Sequence, residues 1–196
     1  MMIYKKEVMI MSKVKTRLVR LSYVTLAEAE PDMQGNKFYS TQILIDKNDK
    51  ETVKAFQDAV EELKRDPKAL AKVNNNAKAI TVPFRDGDTD TADYVANAPD
   101  VYAGKYFVNA KNSKRPQILG VNKEVLEPFE VEDEVYSGCY AQCILGLYVY
   151  NSNGNKGVGV GLNGVRKVKD GDRLGGVTVS ADDFDDDLVE DNDDIL

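Results

Sequence analysis

The sequence VYSGCYAQCILGLYVY, residues 135–150, is the main basis of the fold that we expect. It contains no charged residue, although 30% of the whole chain is charged. Its residues alternate, and one parity holds only small or aliphatic side chains: Cys139, Ala141, Cys143, Leu145, Leu147 and Val149. Period-2 alternation indicates a β-strand with two different faces. We therefore predict a central strand that turns its aliphatic face towards a core.

The opposite face of this strand is aromatic. It carries four tyrosines and two of the glycines that separate them: Tyr136, Gly138, Tyr140, Gly146, Tyr148 and Tyr150. Glycines leave room above a sheet, and nucleobases stack on aromatic rings whatever their identity. Tyrosines on a sheet also pack under helices or at subunit interfaces. The strand alone leaves both interpretations open.

The cysteine and histidine content limits the chemistry of the chain. Cys139 and Cys143 share a face of the predicted strand about 13 Å apart, whereas a disulfide needs Cα atoms within about 7 Å. We expect both thiols to be free. Because the chain has no histidine, it has neither a Cys/His zinc site nor the commonest general base. We expect a protein that is not an enzyme and uses no metal or cofactor.

Charge is concentrated at the C-terminal end. Residues 181–196, ADDFDDDLVEDNDDIL, hold nine acidic residues and no basic one. The other 180 residues hold 24 acidic and 26 basic residues, so a body of net charge +2 carries a strongly acidic segment. Such segregation predicts interactions rather than a fold. We expect residues 179–196 to form a disordered, flexible tail, and a tail that only aids solubility is the alternative.

The remaining chain predicts strands around a helical insertion at about 49–74. Residues 1–12 are a methionine-rich arm, and residues 14–24 and 38–46 have the composition of strands. Asn48 or Asp49 caps a helix whose apolar residues repeat at helical spacing. No segment has the length and composition of a membrane span, and the N-terminus lacks the apolar core of a signal peptide. We expect a cytoplasmic protein without membrane contact.

A second informative stretch is VYAGKYFVNAKNSKR, residues 101–115. It interleaves aromatic and basic residues: Tyr106, Phe107, Lys105, Lys111, Lys114 and Arg115. A single-strand groove needs this combination, because cations follow phosphates and rings accept bases. A strand that continues into a solvated basic loop explains the pattern equally well.

An aspartate-rich loop gives one enzymatic alternative. Asp86, Asp88, Asp90 and Asp93 suggest a carboxylate–metal nuclease. The order does not match a calcium-binding EF-hand, because Gly87 occupies the second position of the loop instead of the sixth. Clustered aspartates in a loop are more typical of turns.

Three segments resemble a known family when they are taken with the acidic end. They are VYAGKYFVNAKNSKRP (101–116), EVYSGCYAQCILGLYVYN (134–151) and GNKGVGVGLNGVRKVKDGDRLGG (154–176). The chain resembles the single-stranded DNA-binding proteins encoded by phages and prophages of Gram-positive bacteria, over most of residues 12–185. The resemblance implies a mainly β fold with inserted helices, an OB-fold-like five-stranded Greek-key barrel over residues 13–178.

The resemblance also implies a function in phage DNA replication or recombination, namely sequence-independent binding of single-stranded DNA. The candidate residues come from the physical pattern. Rings that can stack bases are Tyr106, Phe107, Tyr136, Tyr140, Tyr148 and Tyr150. Cations that can neutralise phosphates are Arg17, Arg20, Lys105, Lys111, Lys114, Arg115, Lys156, Arg166 and Lys167.

The acidic tail has two expected roles. It competes with DNA for the cationic groove, and it docks phage or host replication and recombination proteins. The docking residues that we expect are Phe184, Asp185, Asp186, Asp187, Asp193, Asp194, Ile195 and Leu196. A homodimer is common for this plan and is left open. The main alternative function is a phage structural or assembly protein whose tyrosine-rich sheet is a subunit interface.

Overall fold

The computed structural model describes residues 11–152 and 154–175. The strands in these residues are β1 (Ser12–Lys15), β2 (Val19–Pro31), β3 (Lys37–Asp46), β4 (Arg85–Asp86), β5 (Lys105–Asn112), β6 (Gln117–Leu119), β7 (Tyr140–Ser152) and β8 (Asn155–Lys169). The α-helices are α1 (Lys50–Arg65), α2 (Pro67–Lys72), α3 (Asp93–Ala96), α4 (Pro99–Tyr102) and α5 (Pro128–Glu134). None of the helices in this part of the chain is long and apolar enough to cross a bilayer.

Five strands close into a ring in the order β7-β2-β3-β5-β8, because β8 pairs back with β7. The pairs are antiparallel except β5–β8, which is parallel at Lys111 and Gly161. The short strands lie outside the ring: β1 pairs with β7, β4 with β5, and β6 with β8. The expected mainly β, OB-fold-like five-stranded barrel is confirmed.

The long β7–β8 hairpin supplies much of the core. The predicted aliphatic parity of β7 is buried, and Cys143, Leu145 and Leu147 have no exposed surface. Cys139 and Cys143 are free thiols, as expected. Burial, the largest cause, raises the pKa of the Cys143 thiol to about 12. These thiols are therefore core side chains rather than reactive groups.

Helix α1 begins at an Asp49 cap and packs against β1 and β7. The Asp49 side chain accepts a hydrogen bond from the Thr52 N–H at 3.0 Å. Phe56, Val60 and Leu63 fall at helical spacing and are buried. Their spacing gives the helix one apolar face, which covers one side of the barrel.

The start of the central strand differs from the expectation. The strand was expected from Val135, but β7 begins only at Tyr140, and residues 128–134 before it form α5. Between them the chain turns at Gly138, which has a φ of +116°. Tyr136 therefore lies in the turn and not on the same strand face as Tyr140.

Candidate nucleic-acid interface

A groove runs over the outer side of the barrel between β5 and the β7–β8 hairpin. On β3 and β5, alternate residues such as Ile43 and Val108 belong to the main core, so their neighbours Gln42 and Asn109 face outward. The residues that define this β5–β8 groove are Ser40, Arg85, Asn109, Lys111, Tyr148, Tyr150 and Gly159, with neighbouring backbone. OB-folds bind oligonucleotides on the face of their second and third barrel strands, which here are β3 and β5.

Two tyrosines form the hairpin side of the groove. Tyr148 is half-buried, and Tyr150 is 38% exposed. They pair across the hairpin with Gly159 and Gly157. A Cβ atom at Gly159 would lie 2.5 Å from Cζ of Tyr148, so only glycine lets this ring lie close to β8. Burial, followed by the neighbouring Tyr150, raises the pKa of the Tyr148 hydroxyl, which therefore stays neutral at physiological pH.

Lys111 supplies the cation in the middle of the groove. It is exposed, and its Nζ lies 4.3 Å from the centroid of the Phe38 ring. Next to it on the same face, Asn109 accepts a hydrogen bond from Gln42 Nε2 at 3.2 Å. The buried Tyr102 hydroxyl donates to Gln42 Oε1 at 2.6 Å and fixes that amide. The groove floor is thus polar and held in place from below.

Arg85 also lines the groove, at the end near Phe107, and was not among the predicted site residues. Its guanidinium lies 5.0 Å from the Phe107 centroid and 5.5 Å from that of Tyr94. Asp90 binds it through Nε and Nη2, both at 2.6 Å. The Asp90 carboxylate, the largest cause, raises the pKa of Arg85 further. The sequence signal was weak, because Arg85 stands apart from the two basic stretches.

The structure corrects the prediction for Phe107. Its side chain is fully buried in a small cluster with Leu44, Val95 and Tyr102. Helices α3 and α4 cover this outward face of β5, so no base can reach the ring. Tyr106, on the opposite face, packs against the main core and stacks on Phe84 with centroids 5.1 Å apart.

Tyr136 and Tyr140 do not line the β5–β8 groove, and cations lie against their rings. Arg173 lies 4.1 Å from the Tyr136 centroid, and Lys169 lies 4.7 Å from that of Tyr140. Arg20 also approaches Tyr140, at 5.7 Å. A base would have to displace these cations before it could stack, so stacking at either tyrosine stays a prediction.

The structure also corrects the prediction that Lys167 neutralises a phosphate. It is only 5% exposed, and its Nζ binds Glu134 at 2.6 Å and Asp170 at 2.9 Å. Desolvation opposes its charge, but hydrogen bonds to these two carboxylates outweigh it and raise the pKa of Lys167. Both partners neutralise the ammonium group, so Lys167 holds α5 to β8 and is not free for a phosphate.

The other predicted cations are dispersed. Arg20 donates to backbone carbonyls of Gly138 and Asp172, at 3.1 and 2.8 Å. Arg17 and Arg166 line a separate depression. Lys105 lies 3.9 Å from Asp46. Lys114, Arg115 and Lys156 are exposed, with Lys156 next to the hairpin tip. Of the predicted phosphate ligands, Lys111 lines the groove itself.

The space expected above Gly138 and Gly146 is filled by the protein. The Met11 side chain lies against Gly146, and backbone of Asp172 lies against Gly138. The glycines that accommodate flat rings are instead on β8, and the rings are Tyr148 and Tyr150. Alternation within one strand could not predict this arrangement. Which ring lies opposite which glycine depends on the register of the β7–β8 hairpin.

Three of the four aspartates of the nuclease alternative are held in ion pairs. Asp86 and Asp88 both bind Lys47 Nζ, at 2.5 and 2.6 Å. Asp90 binds Arg85, and Asp93 starts α3. Over residues 11–152 and 154–175, no three acidic or cysteine side chains are grouped to hold a metal ion. The observed role of these carboxylates is to fix the loop before β5.

The expected tail, including Phe184, Asp185–Asp187 and Asp193–Leu196, lies outside the described residues. The same holds for residues 1–10 of the expected N-terminal arm.

Comparisons with known proteins show the family to which this chain belongs. The sequence model of a family described as Enterobacter phage Enc34, ssDNA-binding protein, matches residues 12–196. A curated relative, putative protein p50 of Acyrthosiphon pisum secondary endosymbiont phage 1, is 31% identical over 180 residues, covering 89% of this chain and 93% of the relative.

Solved structures of phage single-stranded DNA-binding proteins have a similar fold. The single-stranded DNA-binding protein of bacteriophage Enc34 in complex with ssDNA is 25% identical, with a TM-score of 0.65 over 84% of this chain and 90% of that one. The fold is also similar to gp2.5, a single-stranded DNA-binding protein of bacteriophage T7, with a TM-score of 0.56 at 17% identity over 95% and 99% of the two chains. The expectation of a phage single-stranded DNA-binding protein family is confirmed, whereas the Gram-positive host stays a prediction. The chain belongs to the Enterobacter phage Enc34 ssDNA-binding protein family.

Proposed function

We propose that this chain binds single-stranded DNA without sequence preference and serves phage DNA replication or recombination. The observation that carries the proposal is the β5–β8 groove, where Tyr148, Tyr150 and Lys111 share one open surface on the barrel face that OB-folds use. Family membership supports it, as does the likeness to the Enc34 protein in complex with ssDNA.

The chemistry of the groove fits a single strand. Bases stack on Tyr150 and Tyr148, each stack contributing about 1–3 kcal/mol. Lys111 neutralises a phosphate, and the exposed Lys114, Arg115 and Lys156 are candidates for further phosphate contacts outside the groove. Each neutralised phosphate releases counterions, so affinity falls as salt rises. Stacking on rings and neutralisation of phosphates do not depend on the identity of the base, which suits sequence-independent binding.

The acidic tail adds regulation to this proposal. Nine carboxylates on a tether compete with DNA for the same cations, at an effective concentration in the millimolar range. When DNA displaces the tail, its apolar and acidic residues become available to phage or host replication and recombination proteins. In this proposal the protein works in the cytoplasm of the host bacterium and carries no catalytic centre, and its assembly as a homodimer stays a prediction.

Fluorescence anisotropy of a labelled oligothymidylate tests the binding step, with duplex of the same length as competitor. We expect salt-sensitive binding that prefers the single strand and weakens about 5- to 150-fold in Tyr150→Ala, from about 1–3 kcal/mol per stack. Phe129→Ala is the matched control, because this exposed ring lies on α5, away from the groove. An absence of binding by the full chain would refute the proposal and favour the assembly alternative.

A further inference from the structure

Tyr23 combines an exposed ring with an unfavourable backbone conformation. Its φ is +47°, in the left-handed region, although it lies within β2. The other non-glycine residues with positive φ in the described chain are Asn74, Asn75 and Lys123. Asparagine enters this region readily, whereas a tyrosine does so only at a cost in backbone energy. Such strain persists only where the surroundings impose it, and it concentrates at functional sites.

A break in the strand register produces this conformation. β2 and β3 pair regularly at Ser22 and Gln42 and resume at Thr25 and Ser40, so Tyr23 and Val24 form a bulge. A bulge redirects a side chain that would otherwise follow the alternation of the strand. Here it turns the Tyr23 ring outward.

The Tyr23 hydroxyl approaches that of the buried Tyr102, a contact that helps to hold the ring in place. Tyr23 is 58% exposed. Its aromatic neighbour is Tyr94, whose ring meets it edge to face with centroids 6.0 Å apart. One ring edge is therefore supported, while most of the ring surface faces solvent.

The position of Tyr23 connects it to the β5–β8 groove. The Tyr94 hydroxyl accepts a hydrogen bond from Arg85 Nη1, and Arg85 lines the groove. Aromatic rings and cations thus continue from Tyr150 and Lys111, past Arg85 and Tyr94, to Tyr23. From Lys111 to Phe107, beneath Arg85, β5 alone spans about 13 Å.

We propose that Tyr23 is a second base-stacking site, which binds a nucleobase of single-stranded DNA at the Arg85 end of the groove. The inference rests on the proposed function and adds to it a further contact residue and the path that the bound DNA takes beyond the groove. A bound base would cover the exposed ring and direct its phosphates towards Lys111, because Asp90 already pairs with the Arg85 guanidinium. Strands too short to reach from Tyr150 past Arg85 would not use this site.

The absence of tryptophan from the chain gives a direct test. A Tyr23→Trp variant carries a single indole whose emission a stacked base quenches. We expect quenching when an oligothymidylate of about 16 nucleotides is added, and less with one of about 4, the range that an OB-fold covers. Lys54→Trp, on the exposed surface of α1, is the control and should keep its emission.

Affinity measurements complete the test. Tyr23→Gly fits the left-handed backbone but removes the ring, so we expect an unchanged or higher unfolding temperature and about 5- to 150-fold weaker binding of the longer strand. Tyr23→Phe keeps the ring and should keep the affinity. If the wild type binds while Tyr23→Trp is not quenched and Tyr23→Gly binds equally well, this inference is wrong and the proposed function stands. If the wild type does not bind, both fall.

Discussion

Tyr148 and Gly159 act as one unit at the residue scale, because the ring occupies the space that a side chain at position 159 would need. Gly159 has an ordinary negative φ, so its value lies in the missing Cβ and not in backbone freedom. This close approach keeps Tyr148 against β8 while one face stays open to the groove. The ring orientation therefore depends on the absence of a side chain at position 159.

A double-mutant cycle tests this coupling. Gly159→Ala should destabilise the wild type by about 1–3 kcal/mol, as overpacking does, because the new methyl group displaces the Tyr148 ring. In a Tyr148→Ala background the same substitution should be neutral or stabilising, since alanine suits a strand better than glycine. Urea unfolding of the four proteins measures the interaction. Equal costs in both backgrounds would show that the ring and the glycine are independent.

Residue-level prediction from the sequence failed where both faces of a strand are buried. Tyr106 and Phe107 are adjacent on β5, and alternation alone assigns them to opposite faces without deciding which is open. In the fold, the main core takes Tyr106 and the small cluster under α3 and α4 takes Phe107. Local periodicity contains no information on these two short helices, so the stacking role of Phe107 could not be rejected from sequence.

At the element scale, helix signals differed in strength. Helix α1 was predictable because Asp49 caps it and its apolar residues recur at helical spacing along sixteen residues. Helix α5 is only seven residues long, and its apolar residues also fit the start of a strand. Its available signal was Pro128 at the first helical position with Glu127 and Glu130 in a capping box.

The ion pairs of Lys47 with Asp86 and Asp88 join two loops of the chain, and we call them the Lys47 clasp. Lys47, after β3, binds Asp86 and Asp88, beside β4. Its hydrogen bonds, the largest cause, lower the pKa of both carboxyl groups from their ordinary 3.8 and raise that of Lys47 from 10.5. Depressed carboxyl pKa values stabilise the fold above pH 3.8 and lose this effect as the pH falls through the folded values. The raised lysine pKa stabilises below pH 10.5 and loses its effect above it.

Removal of Lys47 should therefore make the free energy of unfolding less sensitive to acid pH. In Lys47→Met, both carboxyl groups return towards their ordinary pKa, so acidification from pH 7 to about 3 should cost less stability than in the wild type. Urea midpoints at each pH measure this difference. Lys54→Met is the control, because Lys54 pairs with Asp58 on an exposed helix surface instead of joining two loops. Parallel profiles for Lys47→Met and the wild type would contradict the clasp.

At the scale of the whole molecule, the barrel depends on pairings between distant parts of the chain. The β7–β8 hairpin was predictable because its strands are neighbours in sequence. The parallel β5–β8 contact, which closes the ring and forms the groove, joins residues 50 positions apart. Alternation within a strand does not specify its partner, so the barrel expectation came from family resemblance and the groove only from the structure.

Residues 181–196 are opposite in net charge to the rest of the chain. Because the other 180 residues carry a net charge of +2, the nine tail carboxylates are the largest acidic group available to the groove cations. We expect a 1–180 truncation to bind oligothymidylate several-fold more tightly at about 50 mM salt, where charges interact over more than about 10 Å, and the gain to shrink near 1 M.

A full-length variant with the nine acids replaced by their amides separates charge from bulk. Under competition by charge, it should bind like the truncation, because it has lost its attraction to Lys111 and the neighbouring cations. If it binds like the wild type, the tail acts by bulk and not by charge. If both altered proteins bind no more tightly than the wild type, the tail does not compete for the groove, and docking of partner proteins remains as its proposed role.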